Sequence, residues 1–255
     1  MNSRTNLQQE KLKRFKFYTG SNLEQMPKLI ADGRVPMSTS ELMQIRLDME
    51  NTEDKDYWRN NYFCTGDAVI YHPDGMGSWD KLKIDLDSQY LREMTPQTPR
   101  NNRTLVLTDD QYNAFDAEEF TRKQVGKINK WLSNEEVKIH AICRKLARYP
   151  KVLENYADYV FAKTKEKFGD LAMGIYTPPI GNSPEIGMWY IDGFTLGFNV
   201  NGWYILNNNS GRFVGVLPKE KSTKISDHSN VKTDTTPNLQ PVFKEREGLE
   251  NIINL

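Results

Sequence analysis

The most regular alternation of apolar and polar positions lies in residues 57–91. Within it, residues 61–71 carry Tyr62, Phe63, Cys64, Val69, Ile70 and Tyr71, aromatic and β-branched types that suit a pleated, half-buried surface. Gly66 interrupts this run as a bulge or a close backbone approach would. His72-Pro73-Asp74-Gly75 then reads as a turn, because proline presets φ and glycine tolerates positive φ. After it Leu82, Ile84 and Leu86 fall on one face of a return strand, and Lys83, Asp85 and Asp87 on the other. The pattern predicts an antiparallel pair with one wet face.

Upstream, Phe15 and Phe17 alternate with Lys16 and Tyr18 in a first strand that ends near Tyr18-Thr19. A helix follows, with Ser21 or Asn22 as its cap, and stops at Gly33. Pro27 must sit in or near its first turn, or kink it. Ser38 through Glu41 fits a capping box ahead of a helix with Leu42, Ile45 and Met49 inward. Downstream of the hairpin come a polar loop at 95–102, a short strand at 104–107, and a helical turn capped at Thr108. Residues 117–125 read equally as strand or helix. A second capping box at Ser133 opens a helix to about Arg148 with Ile139, Ile142, Cys143 and Leu146 inward. Tyr149-Pro150 breaks it, and an amphipathic helix over 151–168 ends at Gly169, so two tightly joined helices form a hairpin on the sheet.

Residues 171–217 are rich in glycine, asparagine and aromatics and predict strands at 188–198, 202–206 and 212–217. Residues 218–240 hold scarcely an apolar side chain and read as a disordered linker. Residues 241–255 recover apolar spacing at Leu249, Ile252 and Ile253 as a short amphipathic segment. The expected organisation is one α+β unit over 1–217, with sub-boundaries near 126 and 170. It has a mixed or antiparallel sheet, a helical hairpin and an aromatic-rich C-terminal β segment.

Lys plus Arg number 34 and Asp plus Glu 34, so the formal net charge is zero. Duplex nucleic acid is therefore not the expected partner, since such binding rests on excess basic charge. With only Cys64 and Cys143, no apolar run of membrane-span length and a charged N-terminus, the expected setting is soluble and cytoplasmic.

No CxxC, HExxH, Walker loop or GxGxxG is present. Asp85 and Asp87 share a strand face, yet no third ligand accompanies them, so no metal is expected. The order RFKFYTGS, NLEQMPKLIADG, RVPMS resembles the opening of ADP-ribosyltransferase-like proteins of the DarT or RNA 2′-phosphotransferase kind. The likeness runs over residues 12–125 when extended to the Asp116–Phe120 stretch. In that family a strand-borne Arg or His holds NAD, an aromatic stacks on nicotinamide and a glutamate binds the ribose. The resemblance implies Tyr18 and Thr19 near the first position, Tyr62 or Tyr71 as the stacking ring, Glu118 or Glu119 as the acid, and NAD as cofactor.

A different surface is offered by Trp189, Tyr190, Phe194, Phe198, Trp203 and Tyr204, which if exposed form a stacking platform with Trp189 and Trp203 as ligand contacts. The stretch NNNSGRFVGV within this segment is similar to the terminal sheet of C-type-lectin-like folds, over too short a span to carry anything further. The tail is a third candidate, docking either on its own domain or in a partner's groove. On balance the sequence predicts a cofactor-free binding or interaction protein for an unknown protein or small molecule. The NAD-using enzyme is the alternative.

Overall fold

The computed structural model describes residues 14–98, 100, 104–194, 198–202, 206 and 211–218. The chain divides into two units, Met1–Lys219 and Glu220–Leu255, and every described residue belongs to the first. The anticipated linker and amphipathic end lie outside the described residues, apart from Pro218.

In chain order the elements are β1 (Phe15–Gly20), α1 (Asn22–Ala31), β2 (Val35–Pro36), α2 (Thr39–Asp48), α3 (Lys55–Asn60), β3 (Phe63–Pro73), β4 (Trp79–Asp85) and α4 (Gln89–Glu93). Then come β5 (Leu105–Val106), α5 (Asp109–Ala114), β6 (Glu118–Thr121), α6 (Arg122–Val125), β7 (Trp131–Leu132), α7 (Asn134–Ile139), α8 (Ala141–Ala147) and α9 (Pro150–Phe168). The last strands are β8 (Met173–Tyr176), β9 (Glu185–Ile191), β10 (Phe198–Asn201) and β11 (Gly211–Val216). The class is α+β with a mixed sheet: the main path runs β1-β11-β3-β9-β10-β8-β7, with β11 parallel to β3, β10 parallel to β8, and the other pairs antiparallel.

Strand β3 is the hub. One edge pairs with β9 from Phe63 to Tyr71. The other is shared, by β11 at Cys64 and by β4 from Ala68 onward. The two branches part at Thr65-Gly66-Asp67, where the β9 register slips. The backbone groups freed there are not left empty: Gly66 N–H donates to the Met37 carbonyl at 2.9 Å, and its carbonyl accepts from Ser88 N–H at 2.8 Å. Gly66 is thus both the bulge and the close approach its position suggested. A Cβ there would stand 2.8 Å from Pro36 Cγ.

Successive β3 side chains enter two apolar layers. Phe63, Val69 and Tyr71 join Trp79, Trp189 and the inward faces of α2, α8 and α9. Cys64, Ala68 and Ile70 join Leu23, Met26 and Leu29 of α1, with Leu91, Tyr112 and Phe213. Burial on both faces explains why β3 reads as a nearly continuous apolar run while β4, with Asp80 exposed, alternates.

The anticipated hairpin, the Ser38 and Ser133 capping boxes and the helix ending at Gly169 are all present. Other expectations need correction. The helix expected over 133–148 is two, because His140 takes extended backbone (φ −65°, ψ 127°) and turns Ile139 out to 73% exposure. Ser21 makes no side-chain cap, and Pro27 lies inside α1, beyond its first turn. Helix α3 and strand β8 were not anticipated; α3 is too short to show a period, and β8 contains Gly174. Residues 117–125 are a strand followed by a helical turn.

Candidate functional site

The bulge that splits the sheet brings the C-terminal ends of β1 and β9 beside the N-terminal ends of β3 and β11. Cys64 and Tyr190 are register partners across β3 and β9. Tyr62, just ahead of β3, meets Tyr190 edge to face, with ring centroids 6.2 Å apart at 68°. The Arg212 guanidinium lies 5.5 Å from the Tyr62 ring centroid and donates to Asn61 Oδ1. Thr19 of β1 stands opposite Arg212 in the β1–β11 ladder. Tyr62, Tyr190 and Arg212 are each half-buried, at the boundary between the packed sheet and solvent.

Alternation along β1 places Thr19 on the same face as Phe17. Phe17 is 40% exposed and meets Tyr57, 41% exposed, at 5.0 Å. Thr19, Arg212 and this aromatic shelf lie on one face of the β1–β11 ladder, whereas Tyr190 follows Cys64 and Phe213 on the other face. Burial raises the Tyr190 phenol far above its ordinary value, with the charge of Asp192 adding to it. The hydroxyl therefore stays protonated and can donate.

The rim is held from behind by Arg46 of α2, which is 1% exposed. Its Nη1 donates to Tyr156 Oη at 2.9 Å and to the Asp192 carbonyl at 3.0 Å; its Nη2 donates to the Asn61 carbonyl at 2.7 Å. The guanidinium also lies 5.8 Å from the ring of Phe194 and 5.9 Å from that of Phe63. A buried cation is tolerated when it is well hydrogen-bonded, and here both Nη groups donate, to the Tyr156 hydroxyl and to the backbone that carries the rim. Gly193 completes the fit, since a Cβ there would stand 2.3 Å from the Asn60 carbonyl oxygen. Beneath the rim, Asn22 Nδ2 donates to Cys64 Sγ at 3.4 Å and Met188 Sδ at 3.3 Å, and burial pushes the Cys64 thiol up.

Of the residues singled out in the sequence, Thr19 and Tyr62 meet through Arg212. Tyr18 lies on the opposite face of β1, 5% exposed, donating to Asp32 Oδ2 at 2.5 Å, and burial with that hydrogen bond takes its phenol to about 12. Tyr71 is fully buried and donates to the Gly202 carbonyl at 3.1 Å. Trp189 is fully buried in the first apolar layer, and Trp203 lies outside the described residues. Glu118 pairs with Lys145 at 2.7 Å, and Glu119 accepts from Tyr112 Oη at 3.0 Å. Both glutamates sit on β6, which joins β3 only through β4, whereas β1 joins it through β11. Tyr18 and the glutamates are thus on separate branches of the sheet and share no cleft.

Among the described residues no cluster of His, Cys, Asp or Glu has the arrangement of a metal site. Asp85 has its carboxyl raised by burial and by Asp67 and Asp87, while Asp87 leaves the strand at φ 53° and pairs with Arg148 at 2.7 Å. Arg46, Asn61 and Arg212 are rim residues that the sequence patterns did not single out. The available signal for Arg212 was a charge inside the apolar run GRFVGV; Arg46 looked like any helix cation.

No protein-family model matches the chain, and no curated protein matches it by sequence. Its fold is similar to that of a solved structure described as "Accommodation of massive sequence variation in Nanoarchaeota by the C-type lectin fold". The TM-score is 0.58 at 15% identity, over 79% of this chain and 97% of that one. This finding overturns the resemblance to ADP-ribosyltransferase-like proteins: the strand–helix–glycine opening is the start of a C-type-lectin-like sheet. The stretch GRFVGV is β11, paired antiparallel with β1 so that the two ends of the described chain lie side by side. No helix among the described residues is long and apolar enough to cross a membrane. The architecture is that of a C-type-lectin-like fold with an aromatic–arginine rim where β1, β3, β9 and β11 meet.

Proposed function

We propose that the protein is a binding module that engages a protein partner through the Tyr62–Tyr190–Arg212 rim. The observation that carries this reading is the packing of two half-buried tyrosines and a stacked arginine on backbone pinned by buried Arg46. Tyrosine and arginine dominate protein-interface energetics because they present large, stiff, amphipathic surfaces at low entropic cost. The rim lies at the end of the sheet, where Tyr190 packs against the edge of the second apolar layer, in a fold described in its Nanoarchaeota neighbour as accommodating massive sequence variation. No cofactor enters the reading. The two free, buried cysteines, Cys64 and Cys143, favour a reducing, cytoplasmic setting.

A photo-crosslinking residue placed at Tyr190 tests this, against the same residue placed at exposed Tyr149. In extract of the native host, a discrete protease-sensitive adduct at position 190 and none at 149 is the expected result. Equal labelling at both positions sinks the proposal. An adduct removed by glycosidase and not by protease replaces the protein partner with a glycan.

A further inference from the structure

The acid of the rim, Asp192, bears on Tyr190 and Cys64, while the cation of the rim, Arg212, has no ion-pair partner among the described residues. Its interactions are the Tyr62 ring and the Asn61 side-chain amide. Several other cations of the same unit are matched: Lys16 with Asp32 at 2.6 Å, Arg59 and Lys163 with Glu50 at 2.7 and 2.6 Å, and Arg148 with Asp67 and Asp87 at 2.8 and 2.7 Å. Guanidinium is a planar fork of five N–H donors with no acceptor capacity, and here the Tyr62 ring at cation–π distance and the Asn61 amide together restrict where it sits. Asn61 occupies one of those donors and leaves others in a fixed orientation. A half-buried guanidinium held this way prefers a planar anion that accepts two parallel hydrogen bonds. The Thr19 hydroxyl, opposite Arg212 in the ladder, adds a donor on the same face, while Phe17 and Tyr57 offer an apolar shelf alongside.

We infer that the rim recognises a carboxylate, the side chain of an aspartate or glutamate in a partner protein segment, with Arg212 reading the carboxylate and the Phe17–Tyr57 shelf taking an adjacent apolar residue. This rests on the rim reading above and narrows it to an acidic, partly apolar peptide chemistry.

The test is selection of a random phage-displayed dodecapeptide library on the immobilised full chain, repeated on Tyr190→Ala, Arg212→Ala and Arg212→Lys. Only variants with the parent's thermal midpoint are carried forward; Arg212→Lys keeps the charge but not the plane. Enriched peptides share an Asp or Glu next to an apolar residue. Synthetic versions with Asn or Gln at that position bind about tenfold or more weakly, the size of a charged hydrogen bond. Arg212→Ala shows the same loss, and Arg212→Lys falls between. Peptides without an acid that are lost with Tyr190→Ala overturn the carboxylate and leave the rim standing. Peptides indifferent to both Tyr190→Ala and Arg212→Ala, or no enrichment over blank support, overturn both.

Discussion

Arg46 and Asp192 are 146 residues apart in the chain, and the arginine's Nη1 donates to the aspartate's carbonyl oxygen at 3.0 Å. The same guanidinium reaches the Asn61 carbonyl at 2.7 Å, so one helix side chain fixes the turns that carry Tyr62 and Tyr190. Replacing Arg46 by Met keeps the apolar stem and strands two carbonyls and a phenol. The expected loss is about 3 kcal/mol of unfolding free energy, in the range for removing one partner of a buried charged network. Tyr156→Phe, which removes the hydroxyl that accepts from Arg46 and leaves both carbonyl contacts of the guanidinium in place, should cost less, about 1 kcal/mol. Urea unfolding of both variants checks the order, and an Arg46→Met midpoint equal to the parent's contradicts it.

Asp67 is fully buried in the β3 bulge, accepting from Thr39 N–H at 2.7 Å, Asp87 N–H at 3.0 Å and Arg148 Nη2 at 2.8 Å. Arg148 holds φ 63°, a left-handed conformation that side chains disfavour. Arg148→Ala loses the ion pairs and retains the strain, while Arg148→Gly loses the same pairs and relieves it. Glycine should therefore be the milder change, by about 1 kcal/mol, in thermal or chemical unfolding.

Burial opposes ionisation of Glu50, but hydrogen bonds from Lys163, Tyr159 and Arg59 outweigh it and hold the carboxyl at about 2 against an ordinary 4.5. The unfolded chain takes up this proton first as the pH falls. The contribution of Glu50 is whole above pH 4.5 and drains between pH 4.5 and 2. Glu50→Gln should be less stable than the parent at pH 7, and the two should converge as the pH approaches 2. A gap that stays constant across that window contradicts the assignment.

At Gly66 an added Cβ would meet Pro36 Cγ at 2.8 Å and the Pro36 carbonyl oxygen at 3.1 Å. Gly66→Ala should cost about 2 kcal/mol, as overpacking does, because part of the obstacle is backbone that cannot rotate away. The loss should appear in the denaturation midpoint without changing the slope of the transition.

Ile139 and Ile142 would be neighbours on one face of a continuous helix, and the break at His140 separates them. Ile139→Lys should change stability by no more than about 0.5 kcal/mol. Ile142→Ala, at a fully buried position, should cost about 2–5 kcal/mol. Equal effects would restore the single helix.

Local chemistry made much of this protein legible from its sequence. Capping boxes at Ser38 and Ser133 work through a side chain and an amide three residues apart, so they are written in four letters. The β3–β4 hairpin is set by a turn whose Asp74 accepts from Met76 and Ser78 N–H. Gly66, Pro150 and Gly169 punctuate as their backbone chemistry requires. The α+β class follows from these elements.

What the sequence could not state is which strand lies beside which, because strand pairing is a choice among distant partners with similar local appearance. Trp189 and Tyr190 are adjacent aromatics in one strand. Pleating sends the first into one apolar layer and the second, half-buried, against the edge of the other at the rim, and only the position of β9 between β3 and β10 decides which. Arg46 and Arg212 are ordinary cations in the chain; burial against backbone carbonyls makes one a brace, and stacking on Tyr62 makes the other a candidate reader of charge. Local hydrogen bonds and side-chain periodicity are properties of a few consecutive residues, and the sequence carries them alone. The rim is a meeting of residues 19, 61–62, 190 and 212, and only tertiary packing brings those together.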